Sequence, residues 1–393
     1  MYRRELIRFL LASPLGVGAA AARFNGQEYL IESPDEALSV FDFHELSKSK
    51  LPPAHYGYLA TGVDDDLTLR ANREAFSRIQ ILARRLVDVS QVDLSIELFG
   101  TRWETPIVLA PVGSQRAFHP EGEVAVARAA RQKAHLQILS TMTTASVEEV
   151  TRARGGPVWY QLYPTASWKV TEALVRRAEA AGCPALVLTV DLPVISNRET
   201  AAKMARTDSR QCSTCHEEGP TYFQLRRKPM FDGLDLTGLT DLDAPALTWD
   251  FIPRLKQITS MKVLIKGIVT AADAKLAVES GADGVIVSNH GGRAEESGRA
   301  TIDSLPQIVE AVESRVPVLV DSGFRRGTDI FKALALGAKA VCVGRPYIWG
   351  LASFGQPGVE SVLAILRNEL ALAMRLAGTT SIDAITRDYV RIA

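Results

Sequence analysis

From about residue 105 onward the chain repeats one unit: a short apolar run, a loop of small residues, then a helix-like stretch. The runs cover residues 107–110, 136–140, 158–163, 185–191, 263–266, 284–289, 316–321 and 340–344. Each is rich in Val, Ile and Leu without clean alternation, the pattern of parallel strands buried on both faces. Helical stretches fall between them at 121–133, 169–181, 271–280 and 328–336. Eight such units in one chain predict an α/β fold, a (β/α)8 TIM barrel. One interval breaks the rhythm. Residues 192–247 are polar, with Pro, Gly and charge, and they follow the fourth strand, so they predict a long active-site loop on the catalytic face.

Composition narrows the function classes. The 393 residues carry 45 Lys plus Arg against 45 Asp plus Glu, so net charge is zero. That excludes nucleic-acid binding through a bulk basic surface. At 47% hydrophobic residues the chain has ample material for a core. No run approaches the roughly 18 apolar residues of a spanning helix. No metal-ligand cluster is read from the spacing of His, Cys, Asp and Glu.

The N-terminus is unusual. Arg3-Arg4 precedes a small, apolar run that ends at Ala22. Residues 1–22 therefore read either as a twin-arginine export signal or as an ordinary amphipathic helix. The first reading predicts a bacterial protein of the cytoplasm or periplasm. Residues 23–100 form an N-terminal segment, helical from 56 to 79 with a turn near Gly62 and Asp64-Asp65-Asp66. Residues 101–393 form the barrel.

Barrel enzymes place their chemistry at the C-terminal ends of strands. Those ends here carry Gln161 and Tyr163, Thr189 and Asp191, Lys266, residues 288–293, residues 321–325, and Gly344-Arg345. An Asp at a strand end is often only a helix cap, but so dense a polar set has no bland explanation. In Ser288-Asn289-His290-Gly291-Gly292-Arg293 the glycines admit a ligand close to the backbone. His290 suits a base near neutral pH, and Arg293 can fork onto a carboxylate. The loops after strands seven and eight, with Arg325 and Arg345, suit a phosphate. No GxGxxG follows any strand, so a Rossmann site has no support.

These motifs, with Tyr58-Leu59-Ala60-Thr61-Gly62, Leu109-Ala110-Pro111, His119-Pro120-Glu121-Gly122-Glu123, Tyr160-Gln161-Leu162-Tyr163 and Asp321-Ser322-Gly323, resemble the FMN-dependent 2-hydroxy acid oxidase and dehydrogenase family. The resemblance runs from about residue 56 to the C-terminus. It implies FMN as cofactor and oxidation of an L-2-hydroxy acid, lactate-like or larger, to the 2-oxo acid. It implies His290 as base, oriented by Asp191, with Arg198 and Arg293 on the substrate carboxylate and Tyr58 and Tyr163 on its polar ends. Lys266 would lie beside the flavin ring. Pro111, Val112, Gly113, Ser140, Gln161 and Thr189 would contact that ring. Ser288, Gly291, Asp321, Gly323, Arg325, Gly344 and Arg345 would run from ring to phosphate. The partners implied are a small 2-hydroxy carboxylate, an acceptor that is oxygen, a quinone or a cytochrome, and further copies of the chain in a homotetramer. Met142 leaves substrate size open, and Gly113, where oxidases usually carry Ala, leaves the acceptor open. A flavoprotein acting on a specialised or peptide-linked substrate is the alternative. An inosine-phosphate-type dehydrogenase shares the phosphate loops but would need a catalytic Cys loop.

Within the insertion, Cys212-Ser213-Thr214-Cys215-His216 spells a c-type haem attachment motif. A disulfide, a zinc half-site or plain loop thiols are the simpler readings, since no axial partner is evident.

Overall fold

The computed structural model describes residues 30–209, 225–239 and 244–393. The insertion motif at Cys212, Cys215 and His216, and residues 1–22, lie outside these.

Eight parallel strands close into a barrel: β1 (Ile107–Leu109), β2 (Leu136–Ser140), β3 (Trp159–Leu162), β4 (Ala185–Thr189), β5 (Lys262–Ile268), β6 (Gly284–Val287), β7 (Val318–Val320) and β8 (Ala340–Val343). Every run expected from the sequence is a strand of this barrel. Their side chains are buried on both faces, except Lys262 and Gly267 of β5, and this is why no alternation marks them. The strands are shorter than the runs at β1, β3, β4, β6, β7 and β8. Tyr163, Asp191, Asn289 and Asp321 stand just past the last ladder residues, because the chain leaves the sheet at the barrel's lip. Registration does functional work. Ser140 pairs with Gln161, and Thr189 with Lys266, so each polar pair sits side by side on neighbouring strands.

The β5–β6 ladder slips between Lys266 and Ile268. Gly267 sits at the slip with φ +111°, and a Cβ there would lie 2.6 Å from Cβ of Asp191. The irregularity makes room for that carboxylate.

Helices follow the strands as expected, at Gly122–Gln132, Trp168–Ala180, Ala271–Glu279 and Gly327–Ala335. Two C-terminal helices, Arg345–Phe354 and Gln356–Ala377, were not expected; they pack on each other, and the longer also packs against Gly327–Ala335. The N-terminal segment folds as helices Val40–Lys50, Pro53–Ala60 and Leu67–Glu74, with the turn at 61–66 between the last two. Ser39 opens the first with a capping box on Asp42.

Helix Leu67–Glu74 lies across the lip. A Cβ on Gly292 would meet the backbone of Leu69 at 2.6 Å, and one on Gly323 would meet the carbonyl of Asn72 at 2.0 Å. Both glycines have positive φ, so helix and loops touch backbone to backbone. The first helix of the insertion, Glu199–Ala205, packs on Pro53–Ala60. There Gly57 faces Met204, whose Cβ would lie 3.0 Å from an added one.

Candidate active site

The loops after the strands line a cavity that opens to solvent. His290, Lys266, Tyr163, Tyr58 and Arg293 line it, with Pro111, Val112, Gly113, Ser140, Gly291, Asp321, Gly323, Arg325, Gly344 and Arg345. Asp191, Gln161, Thr189 and Ser288 stand behind these residues. Arg198 is outside the lining, its guanidinium carbon 5.9 Å from the ring of Tyr58.

His290 is held from both ends. Its Nδ1 lies 2.9 Å from Oδ1 of Asp191, and its Nε2 lies 3.1 Å from the Tyr163 hydroxyl. An ionised Asp191 can only accept, so Nδ1 carries the proton and Nε2 is left as the acceptor. Burial lowers the imidazole pKa; Asp191 opposes this and Lys266 adds to it, leaving it below 6.5. At neutral pH the ring is uncharged. Burial pushes the Tyr163 hydroxyl well up, aided by Asp191, so it stays a donor.

Lys266 is the electrostatic centre. Its Nζ donates to Ser288 Oγ at 2.8 Å and lies 3.6 Å from both Asp191 and Asp321. Burial alone would lower its pKa, but the two carboxylates outweigh it and the ammonium is held charged. Burial likewise raises the Asp191 carboxyl, and Lys266 and His290 more than reverse this. Among the described residues Oδ2 of Asp191 is buried with no hydrogen-bond partner. Ser140, Gln161 and Thr189 form a side-chain chain across neighbouring strands: Ser140 donates to Gln161 at 3.1 Å, and Gln161 donates to Thr189 at 2.9 Å.

At the mouth, Arg293 stacks 4.0 Å over the ring of Tyr58. Among the described residues its Nε and Nη2 are buried without partners. A buried guanidinium with free donors is suited to an anion that supplies acceptors. Burial pushes the Tyr58 hydroxyl up, but Arg293 and Arg198 overcome it and its pKa falls below the usual range.

The far end of the cavity fits the phosphate of FMN. Arg325 is 7% exposed, and among the described residues its side chain donates only to the Phe324 carbonyl. It stacks 4.7 Å over Trp349. Burial, with Arg73 nearby, pushes its pKa down to about 9 against the opposing pull of Asp329, the mark of a strongly desolvated cation. The N-terminus of helix Arg345–Phe354 reaches the same wall through Gly344 and Arg345. Arg345 lines the same cavity. Its guanidinium donates to the carbonyls of Leu59, Thr61 and Gly291, so it fastens the N-terminal segment to the His290 loop.

Two positioning groups escape sequence reading. Asn72 and Asn289 exchange amide hydrogen bonds of 2.9 and 3.0 Å, both buried. Glu123, fully buried, accepts from the backbones of Gln115 and Thr144 and so shapes the loops after β1 and β2. For Asn72 no local signal exists. For Glu123 the hints are its place in the His119–Glu123 motif and a carboxylate inside an apolar helix face, neither of which gives its partners.

The FMN-dependent dehydrogenase family model matches residues 47–392. Glycolate oxidase 1 of Oryza sativa is 43% identical over 367 residues, covering 90% of this chain and 96% of the relative. A peroxisomal (S)-2-hydroxy-acid oxidase of Oryza sativa is 44% identical, with 90% and 95% coverage. A crystal structure of mandelate oxidase with (S)-2-phenylpropionate superposes with a TM-score of 0.80 at 38% identity, covering 90% of this chain and 98% of that one.

These relatives correct one expectation. A bacterial cytoplasmic or periplasmic placement through a twin-arginine signal is overturned, because the curated relatives are eukaryotic and one is named peroxisomal. Two arginines before a small, apolar run are too short a pattern to distinguish a signal from an amphipathic segment. Family model and relatives span the barrel and its catalytic face alike, and this chain therefore belongs to the FMN-dependent dehydrogenase family.

Proposed function

We propose that the chain oxidises an L-2-hydroxy acid to the corresponding 2-oxo acid. The observation that carries this reading is a neutral imidazole, His290, whose acceptor nitrogen lies beside the Tyr163 hydroxyl on the wall of a cavity that also receives Arg293, two of whose donors are unpaired among the described residues. His290 takes a proton from the substrate at Nε2, and Asp191 stabilises the imidazolium that results. Arg293 and Arg198 bind the carboxylate, with Tyr58 between them. Tyr163 donates to a substrate oxygen and helps hold the reacting carbon near His290. Bound FMN supplies the two-electron acceptor for the oxidation. Lys266 keeps a fixed cation on the cavity wall, where it favours negative charge arriving on a ring placed beside it. Arg325 and the N-terminus of helix Arg345–Phe354 hold the phosphate.

Oxygen is the acceptor we assign, supported by the names of the curated relatives, which are oxidases. Gly113 does not argue against this. A Cβ there would lie 2.9 Å from Cβ of Met142, so the close approach of Met142 accounts for the glycine without reference to the acceptor. Met142 is adaptable, and the substrate side chain is of lactate size or larger. The resemblance also implies a homotetramer, which light scattering tests.

The deciding experiment is anaerobic mixing of the flavin-loaded protein with a panel of L-2-hydroxy acids, followed by admission of oxygen. Loss of the flavin absorbance band and its return on aeration are expected. A band unmoved by every acid in the panel refutes the activity; bleaching that only a quinone reverses refutes oxygen as acceptor.

A further inference from the structure

Two guanidinium groups converge on Tyr58, and like charges this close repel. Arg293 is fixed by burial under the lip. Arg198 is not: it stands at the start of a seven-residue helix in the insertion, on a long side chain free to turn to solvent. Something must hold it toward the mouth.

The geometry points to Ser196. Its hydroxyl donates to the Arg293 carbonyl at 2.8 Å and lies 3.4 Å from Nε of Arg198, which donates to it. A hydroxyl has one proton and two lone pairs, so one small group can serve both contacts. The segment carrying Ser196 is itself latched to the turn below Tyr58. Asn197 donates its amide to Asp64 Oδ1 at 2.7 Å, the Asp64 N–H donates back to the Asn197 carbonyl at 3.1 Å, and Thr200 reaches Asp66 Oδ1 at 3.4 Å. Asp64 and Asp66 hold φ of +45° and +61°, the left-handed conformation that presents their carboxylates to the insertion.

We infer that Ser196 is a positioning residue for substrate recognition: it sets Arg198 in register with Arg293, so that the two grip one carboxylate. This rests on the carboxylate-binding reading given above. A group acting through the carboxylate grip affects binding of anions and leaves a neutral analogue untouched.

The test uses the flavin-loaded full chain, with flavin content and Tm as controls. Oxalate affinity is read from the flavin difference spectrum, and KM and kcat from an L-2-hydroxy acid and its neutral 2-hydroxy amide. Ser196→Ala is expected to weaken oxalate and to raise the acid's KM by about tenfold, with kcat changed by less than about threefold. The amide's KM stays unchanged. Ser196→Thr, which keeps the hydroxyl, restores most of the loss. Unchanged oxalate affinity in Ser196→Ala overturns the inference, as does an equal loss for acid and amide or a failure of threonine to rescue. If the wild-type protein oxidises no 2-hydroxy acid, the proposed function falls, while oxalate affinity still decides the role of Ser196.

Discussion

His290 and Asp191 meet at 2.9 Å through Nδ1 and Oδ1, and the same carboxylate reaches Lys266 on its other oxygen at 3.6 Å. One buried anion thus fixes the tautomer of the base and neutralises the cation beside it. His290→Gln is expected to retain flavin and to slow its bleaching by substrate about 10³-fold or more, while Asp191→Asn slows it about 10²-fold. Stopped-flow absorbance reads both. A His290→Gln variant bleached at the wild-type rate would remove His290 from the mechanism.

The pH dependence follows from the same pair. Burial and Lys266 hold the His290 pKa below 6.5 against the pull of Asp191. The active form is the neutral ring, so kcat/KM declines toward acid pH with its limb centred below 6.5. An acid limb centred above 6.5 in the rate profile contradicts this ordering of effects.

Arg325 is expected to discriminate FMN from riboflavin. Removing its charge in Arg325→Met costs the phosphate its buried partner and lowers FMN affinity about 10²-fold or more. Riboflavin, which has no phosphate, binds the variant and the wild type alike. Fluorescence titration of the apoprotein with each flavin measures the difference; equal losses for both would place the phosphate elsewhere.

Gly323→Ala introduces a Cβ 2.0 Å from the Asn72 carbonyl at φ +87°. The variant is expected to lose about 2–4 kcal/mol of stability and much of its flavin. Gly100, with φ +74° and nothing within 4 Å of an added Cβ, is the control. Its alanine variant carries backbone strain alone and costs about 1 kcal/mol. Thermal melts that rank the two equally would deny the docking of the helix on this loop.

His135 makes a stability prediction. Burial holds its pKa at about 4, opposed by the Ile107 carbonyl to which Nδ1 donates. The unfolded chain takes up a proton near pH 6.5, the folded one only near 4, so stability falls as pH drops through this window, by on the order of 3 kcal/mol in full. His135→Asn, which keeps a donor for the Ile107 carbonyl, is expected to flatten the fall of Tm between pH 6.5 and 4. An unchanged slope excludes His135 as its source.

The barrel was legible because parallel strands, buried on both faces, write themselves as unbroken Val, Ile and Leu runs. Their ends were less so: Tyr163 and Asp191 continue the composition of their strands but have already left the ladder. The residues brought to the cavity were legible as strand-end motifs. What could not be read are partners far apart in the chain. Arg345 has the same local context whether it faces a phosphate or three carbonyls, and only tertiary proximity sends it to Leu59 and Thr61. Asn72 and Ser196 likewise acquire meaning from Asn289 and Arg293, on a different loop.

The docking of helix Leu67–Glu74 on the lip carries a consequence for biosynthesis. Asn72 must wait for Asn289, 217 residues downstream, which takes about 10–45 s at ribosomal rates. Arg73 waits longer still, for Gly323. The ribosome therefore releases the catalytic mouth last, and a nascent chain has no finished pocket until its final strands have emerged.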